Sequence, residues 1–220
     1  PLYSKHGSLV SRVFDELTNF ARARSLFILH YCTGCGAIEL PPVMTSRFDM
    51  ERLGVSPMVT PRQADILLVT GYVSIKTLKR VMLTYEQMGS PKYVIGICSC
   101  TVNGGMYWQS YATAKRLDEY MPVDLYIAGC MPRPEAVISG LRELMKKIEQ
   151  GEANSWKEYY RNYDYYLGNQ QHLFGDQWQT PVDVIGEAEH YGLVGDGTRG
   201  EHTALLEQVQ HPLKPLEMRL

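Results

Sequence analysis

Apolar positions along this chain follow two alternating rhythms. Short, nearly continuous apolar runs at Ser25–Tyr31, Ala64–Val69, Tyr93–Ile97 and Val123–Ile127 read as β-strands, the second bounded by Pro61 and Gly71. Other segments carry a helical period. Val10, Val13, Phe14, Leu17 and Phe20 share one face of Ser8–Ala23, and Ile75, Leu78, Val81, Met82 and Tyr85 share one face of Ile75–Met88. Further helices are predicted around Ile38–Thr45, with Pro41 and Pro42 at its start, and over Tyr107–Tyr120 and Glu135–Ile148. The last of these is amphipathic and opened by Pro132-Arg133-Pro134. Strands alternating with helices imply βαβ units and a mainly parallel sheet. A doubly wound, flavodoxin-like α/β layer fits best.

The pattern also divides the chain. Residues 1–24 read as a packing helix for the core or a partner, and residues 25–150 as the α/β domain. From about Gly151 the character changes. The run Tyr159-Tyr160-Arg161-Asn162-Tyr163-Asp164-Tyr165-Tyr166 has neither a clean helical nor an alternating period. Disordered segments are normally poor in aromatics. Residues 151–220 are therefore expected to form an extended C-terminal arm ordered against neighbouring subunits, with a second small domain as the alternative.

Composition narrows the function. A net charge of −2 with no clustered basic patch gives no basis for a nucleic-acid partner, and the tyrosine run has no basic groove beside it. No apolar stretch approaches the ~18 residues of a spanning helix, and no signal-peptide pattern stands at the N-terminus. No Gly-x-Gly-x-x-Gly follows a strand, so direct NADH binding is not expected. FMN is not expected either, because the loops where its phosphate would sit carry cysteines. All five cysteines lie between Cys32 and Cys130. That odd number argues for thiolate ligands in a reducing compartment over a disulfide scaffold.

The placement of these cysteines is the main chemical clue. Cys32 and Cys35 follow the first strand, Cys98 and Cys100 end the third, and Cys130 ends the fourth. Ligands of open parallel α/β sheets bind at the carboxyl ends of the strands, where sequence-distant cysteines can converge. A lone Cys-x-x-Cys fits a zinc knuckle, a thioredoxin-type pair or an iron–sulfur ligand pair. Gly34, Gly36 and Gly129 beside the cysteines would let backbone amides approach cluster sulfurs. The chemistry favours a 4Fe–4S cluster and leaves structural zinc and inert buried thiols open.

A specific resemblance covers roughly Ser25–Ile148. Arg47-Phe48-Asp49-Met50-Glu51-Arg52, Thr60-Pro61-Arg62-Gln63-Ala64-Asp65, Val69-Thr70-Gly71-Tyr72-Val73, Tyr85-Glu86-Gln87-Met88, Gly104-Gly105-Met106 and Gly129-Cys130-Met131-Pro132-Arg133-Pro134-Glu135 carry it. In these stretches the chain resembles the small cluster-bearing subunit of the respiratory complex I family, the B or 20 kDa subunit. The same family includes small subunits of membrane-bound nickel–iron hydrogenases and related ferredoxin-oxidising complexes.

The resemblance implies a flavodoxin-like fold holding one 4Fe–4S cluster. Cys35 matches the first of two adjacent family ligands, and Cys100 and Cys130 match the other two sites. The second adjacent cysteine is replaced by Gly36, which leaves Cys32 as the expected fourth ligand. Cys98 stands where a glycine is common and is expected to be a spare thiol, with a ligand role in place of Cys100 as its alternative. Arg47 and Arg52 are candidate tuning cations beside the cluster, against a reading as surface ion-pair partners of Asp49 and Glu51. Glu39 is a candidate proton-relay carboxylate, against a capping or solvated role. Asp65 and Asp124 are expected to be structural.

The implied role is electron transfer within a multi-subunit, membrane-associated oxidoreductase. Upstream iron–sulfur subunits would supply electrons, and a large catalytic subunit would use them on quinone, protons or sulfur species. Membrane-embedded subunits would hold the assembly peripherally on the cytoplasmic face of a prokaryotic membrane. The alternatives are the proximal-cluster subunit of a nickel–iron hydrogenase and a structural zinc scaffold.

Overall fold

In the computed structural model the strand-forming runs assemble side by side in parallel, and residues 9–38, 40–175 and 178 are described. The strands are β1 (Leu26–Cys32), β2 (Val55–Pro57), β3 (Ile66–Thr70), β4 (Tyr93–Ile97) and β5 (Leu125–Ile127). Their order is β2-β1-β3-β4-β5, and every pairing is parallel. This is the flavodoxin-like doubly wound order, whose topological switch point lies between β1 and β3.

Helices cover both faces. Alternate residues of β3 divide between two cores, Ile66 and Leu68 facing one and Leu67 and Val69 the other. The first core includes Ala23 of α1 (Leu9–Ala23), Leu40 and Val43 of α2 (Leu40–Met44), and Leu141 and Leu144 of α5 (Pro134–Glu149). The second includes Leu78, Val81 and Met82 of α3 (Ile75–Glu86), together with Trp156, Tyr159 and Tyr160. Burial on both faces is why β3 and β4 read as continuous apolar runs. At the opposite edge from the cysteines, Asp65 accepts from the Phe27 N–H at 2.9 Å and Asp124 from the Val94 N–H at 2.8 Å, so both carboxylates hold strand starts.

Three expectations change. A fifth strand, β2, lies at the sheet edge; it has three residues and ends in Pro57, which an edge tolerates. The helix expected over Tyr107–Tyr120 is absent. A short α4 (Ser99–Asn103) and a 3-10 turn at Gly105–Tyr107 precede an irregular segment. Its backbone donors go to other parts of the chain: Ala114 N–H to Val73 at 2.8 Å, and Leu117 N–H to Thr101 at 3.1 Å.

The third change concerns the segment expected to be extended. Residues 155–174 form α6 (Ser155–Arg161) and α7 (Tyr163–Phe174), which pack on the second face of the sheet. Tyr159 is fully buried, its O–H donating to the Glu86 carboxylate, and its ring meets that of Tyr85 at 5.1 Å. Gln170 and Asn169 anchor α7 by donating to the Tyr120 and Glu119 carbonyls at 3.0 and 2.8 Å. The rest of the expected arm, residues 176, 177 and 179–220, lies outside the described residues.

Candidate metal centre

Each cysteine-bearing loop is shaped by close backbone contacts at the carboxyl edge of the sheet. After β1, the Thr33 N–H donates to the Thr70 carbonyl at 3.0 Å and its hydroxyl bonds the same oxygen at 2.7 Å. These bonds turn the chain into the 3-10 turn Gly34–Ala37 that carries Cys35. The turn presses on the end of β3: a Cβ placed on Gly36 would lie 2.3 Å from the Gly71 nitrogen. Gly71 itself has φ +78°, and a Cβ there would lie 1.9 Å from the Thr33 carbonyl oxygen. Glycine is required at both positions.

The β4 loop bends just as sharply. Cys98 has φ 78° and ψ 154°, a region that non-glycine residues rarely occupy. Its N–H donates to Ile127 at 3.1 Å, and the next amide, Ser99, donates to Gly129 at 2.9 Å, which ties this loop to the one bearing Cys130. Thr101 donates its hydroxyl to the Cys98 carbonyl at 2.9 Å and so closes the turn. Cys100 is the second residue of α4, and a Cβ on Gly105 would come within 3.0 Å of its Sγ.

The thiols are free and differ in exposure. Cys98 and Cys100 are buried, Cys32 and Cys35 half-buried, and Cys130 exposed. Burial pushes the Cys98 thiol up to about 11; a hydrogen bond from the Gly71 amide opposes the shift, and the neighbouring Cys35, Cys100 and Cys130 thiols add to it. Burial also raises Cys100, with Cys35 and Cys130 adding, against hydrogen bonds from the amides of Met106 and of Cys100 itself. Four thiols therefore share one electrostatic neighbourhood, at the strand ends beside the switch point. Cys32 packs against the core cluster that includes Cys98. It lies beside Thr70, which opposes a burial-driven rise in its pKa, and its Sγ is 3.7 Å from His30 Nδ1. Among the described residues, no group of three or more His, Cys, Asp or Glu is gathered tightly enough to hold a metal ion.

Arg47 is exposed and stacks over Phe48 at 5.6 Å, and Arg52 is exposed on a 3-10 turn. Neither makes an ion pair with Asp49 or Glu51 among the described residues. Glu39 lies outside the described residues. Sequence reasoning missed two features. Gly71 is the donor to Cys98; its only signal was its place directly after a strand. An exposed apolar rim also passed unnoticed, with Ile38 beside the Cys35 turn and Met106 and Trp108 beside the Cys100 helix.

Residues 32–144 match the family model described as NADH ubiquinone oxidoreductase, 20 Kd subunit. The chain belongs to that family. Among relatives, the chloroplastic NAD(P)H-quinone oxidoreductase subunit K of Glycine max is 39% identical over 173 residues, covering 75% of this chain and 82% of its own. Subunit K of Lupinus luteus is 45% identical over 144 residues, covering 65% of this chain and 64% of its own. The chain thus spans just under two thirds of the lupin relative's length. A chain in the structure of the membrane-bound sulfane sulfur reductase, an archaeal respiratory membrane complex, is 56% identical with a TM-score of 0.71. That match covers 74% of this chain and 92% of the other. No helix among the described residues of this 20 kDa-family chain is long and apolar enough to cross a membrane.

Proposed function

We propose that this 20 kDa-family chain is an electron-transfer subunit that holds one 4Fe–4S cluster in a membrane-associated respiratory oxidoreductase. The observation that carries the reading is that the loops bearing Cys35, Cys98 with Cys100, and Cys130 all leave the carboxyl edge of one parallel sheet, after β1, β4 and β5. Such a cluster, when bound, takes up and passes on one electron at a time. Cys32, Cys35, Cys100 and Cys130 would hold it. A Cβ on Gly105 would crowd the Cys100 sulfur at 3.0 Å, and Gly36 and Gly71 let the Cys35 turn press against the end of β3. Amides of Gly71 and Met106 point at thiol sulfurs, where hydrogen bonds tune potential. Zinc fits less well: its thiolates would all lie about 2.3 Å from a single ion, whereas cluster thiolates each bind a different iron and spread wider.

The partner surface follows from the rim. Met106 and Trp108 are 72% and 61% exposed beside a buried ligand, which suits a face covered by the large catalytic subunit. The apolar face of α1 is also uncovered, with Val13, Phe14, Leu17 and Phe20 all at least half exposed. It suits a second contact within the assembly, with membrane-embedded or other iron–sulfur subunits. Of the three acceptors considered, the 56% identity to the sulfane sulfur reductase chain favours sulfur species over quinone or protons. The expected place is peripheral, on the cytoplasmic face of the membrane.

Anaerobic purification of the whole complex tests the reading. Iron and acid-labile sulfide in excess of what the other subunits hold, with a matching EPR signal in the reduced state, are expected. Zinc bound to this chain in place of iron would overturn it.

A further inference from the structure

We propose that residues 103–113 form a charge-free docking loop for the large catalytic subunit, and that Lys115 is the positioning residue that shapes it from within. The inference rests on the reading above that this chain passes electrons to that subunit. No charged residue stands between Asn103 and Thr113. Met106, Tyr107, Trp108 and Tyr111 of this stretch are all exposed, Tyr111 at 94%. Aromatic residues and methionine with charges depleted are the composition of an interface core. Tyr and Trp are also the side chains that most often anchor an interface.

Exposed aromatics on a slack loop would lose conformational freedom on binding, but this loop is already held. The Lys115 ammonium has three donors, and its bonds go to the loop itself: the Tyr107 carbonyl at 3.2 Å, the Ser110 carbonyl, and the Thr113 hydroxyl at 3.4 Å. The Thr113 hydroxyl and the Ser110 N–H also donate to the Tyr107 carbonyl, at 3.0 and 2.9 Å. Among the described residues Lys115 forms no ion pair, so its charge is turned inward. Two further bonds strap the loop to the segment after β3. Ile75 N–H donates to the Ala112 carbonyl at 2.9 Å, and Ala114 N–H to the Val73 carbonyl at 2.8 Å.

Position selects the occupant. The loop follows α4, which bears Cys100, and the Tyr107 ring packs on Tyr72 at 4.9 Å. Tyr72 in turn lies over Gly34, whose Cβ would come 2.5 Å from its ring. The loop therefore borders the carboxyl edge of the sheet, where the cysteine-bearing loops leave, and a subunit that takes electrons there must approach that edge. Its receiving surface must be apolar, since a charge buried against this loop would find no partner.

Substitutions within the whole, anaerobically purified complex test both parts. Tyr111→Ser changes an exposed side chain that the fold does not use. It should weaken retention of the large subunit about tenfold, as the loss of one interface anchor. Lys115→Met keeps the stem and removes the three donors. It should release the large subunit to a similar degree, while this chain keeps its other partners; a misfolded chain would lose every partner alike. Parent-level retention in Tyr111→Ser overturns the docking loop, and parent-level retention in Lys115→Met overturns the positioning role. Release of a different subunit, with the large one still held, overturns the choice of occupant. If Lys115→Met loses every partner, Lys115→Gln decides: selective loss of the large subunit supports the role, and parent-level retention refutes it. Absence of an iron–sulfur cluster from this chain in the parent complex would instead sink the functional reading, an outcome distinct from any of these retention results.

Discussion

Replacing Tyr159 tests whether residues 155–174 are part of the folded core. Its ring is fully buried and packs against Tyr85, Tyr163 and Tyr166 at centroid distances of 5.1, 5.7 and 5.2 Å. Truncating a large buried aromatic to alanine typically costs about 3–5 kcal/mol. For a domain of this size each kcal/mol lowers Tm by roughly 2–4 °C. Tyr159→Ala should therefore lower Tm by about 6–20 °C. Tyr159→Phe keeps the ring and removes only the O–H donated to Glu86. A hydrogen bond to a charged group contributes about 1.5–3 kcal/mol, so Tyr159→Phe should lower Tm by about 3–12 °C. The assay is thermal and urea unfolding of the full chain followed by circular dichroism, with coincident probes to check two-state behaviour. If Tyr159→Ala changes stability by less than about 1 kcal/mol, the helices are not part of the core. Deletion after Gly151 would then leave the domain intact, as an extended arm implies; if the packing is right, that deletion exposes the second face of the sheet and the chain aggregates.

Four further outcomes follow from the site and core. Gly71→Ala should cost about 1–3 kcal/mol in backbone strain alone and should lower iron content, because its Cβ would strike the Thr33 carbonyl; iron retained at parent level would show that the two loops are not coupled. Burial raises the pKa values of Tyr85 and Tyr159, so their contribution to stability is complete below about pH 10 and is lost as pH rises past it, by up to about 1.4 kcal/mol per unit for each group; alkaline urea titrations with no downturn above pH 10 would contradict their burial. Met106→Ser with Trp108→Ser should weaken co-purification with the large subunit while leaving the Tm of the isolated chain within about 2 °C, since both are exposed; undiminished assembly would move the interface elsewhere. Arg47→Met should lower the cluster midpoint by less than the ~59 mV that marks a tenfold change, because water screens an exposed guanidinium, and an unchanged midpoint would place Arg47 on a solvated face.

The chain's rhythm made most of the fold legible, for a physical reason. A strand buried on both faces must be apolar throughout, so Ile66–Thr70 and Tyr93–Ile97 stand out against amphipathic helices such as Ile75–Glu86. Three elements escaped because their signal lies in tertiary contacts. Val55–Pro57 is too short to show a period. The segment around Tyr107–Tyr120 has helix-forming residues, yet its amides are taken by Val73 and Thr101. The tyrosine-rich stretch falls into two helices broken at Asn162, so the aromatic positions keep one period only on either side of the break.

The cysteines show where sequence spacing stops being informative. Cys32 and Cys35 form the familiar local pair, and spacing alone makes them partners. Yet a residue ending a parallel strand is fixed by its register: Cys32 is locked opposite Thr70, and its neighbours follow from that ladder and not from the loop beyond it. Cys35 escapes the ladder because the Thr33 bonds turn the chain toward the strand ends. Cys98 escapes it through a positive φ, which no spacing rule encodes. Gly71 serves both loops at once: its missing side chain admits the Cys35 turn, and its amide opposes the burial-driven rise of the Cys98 thiol.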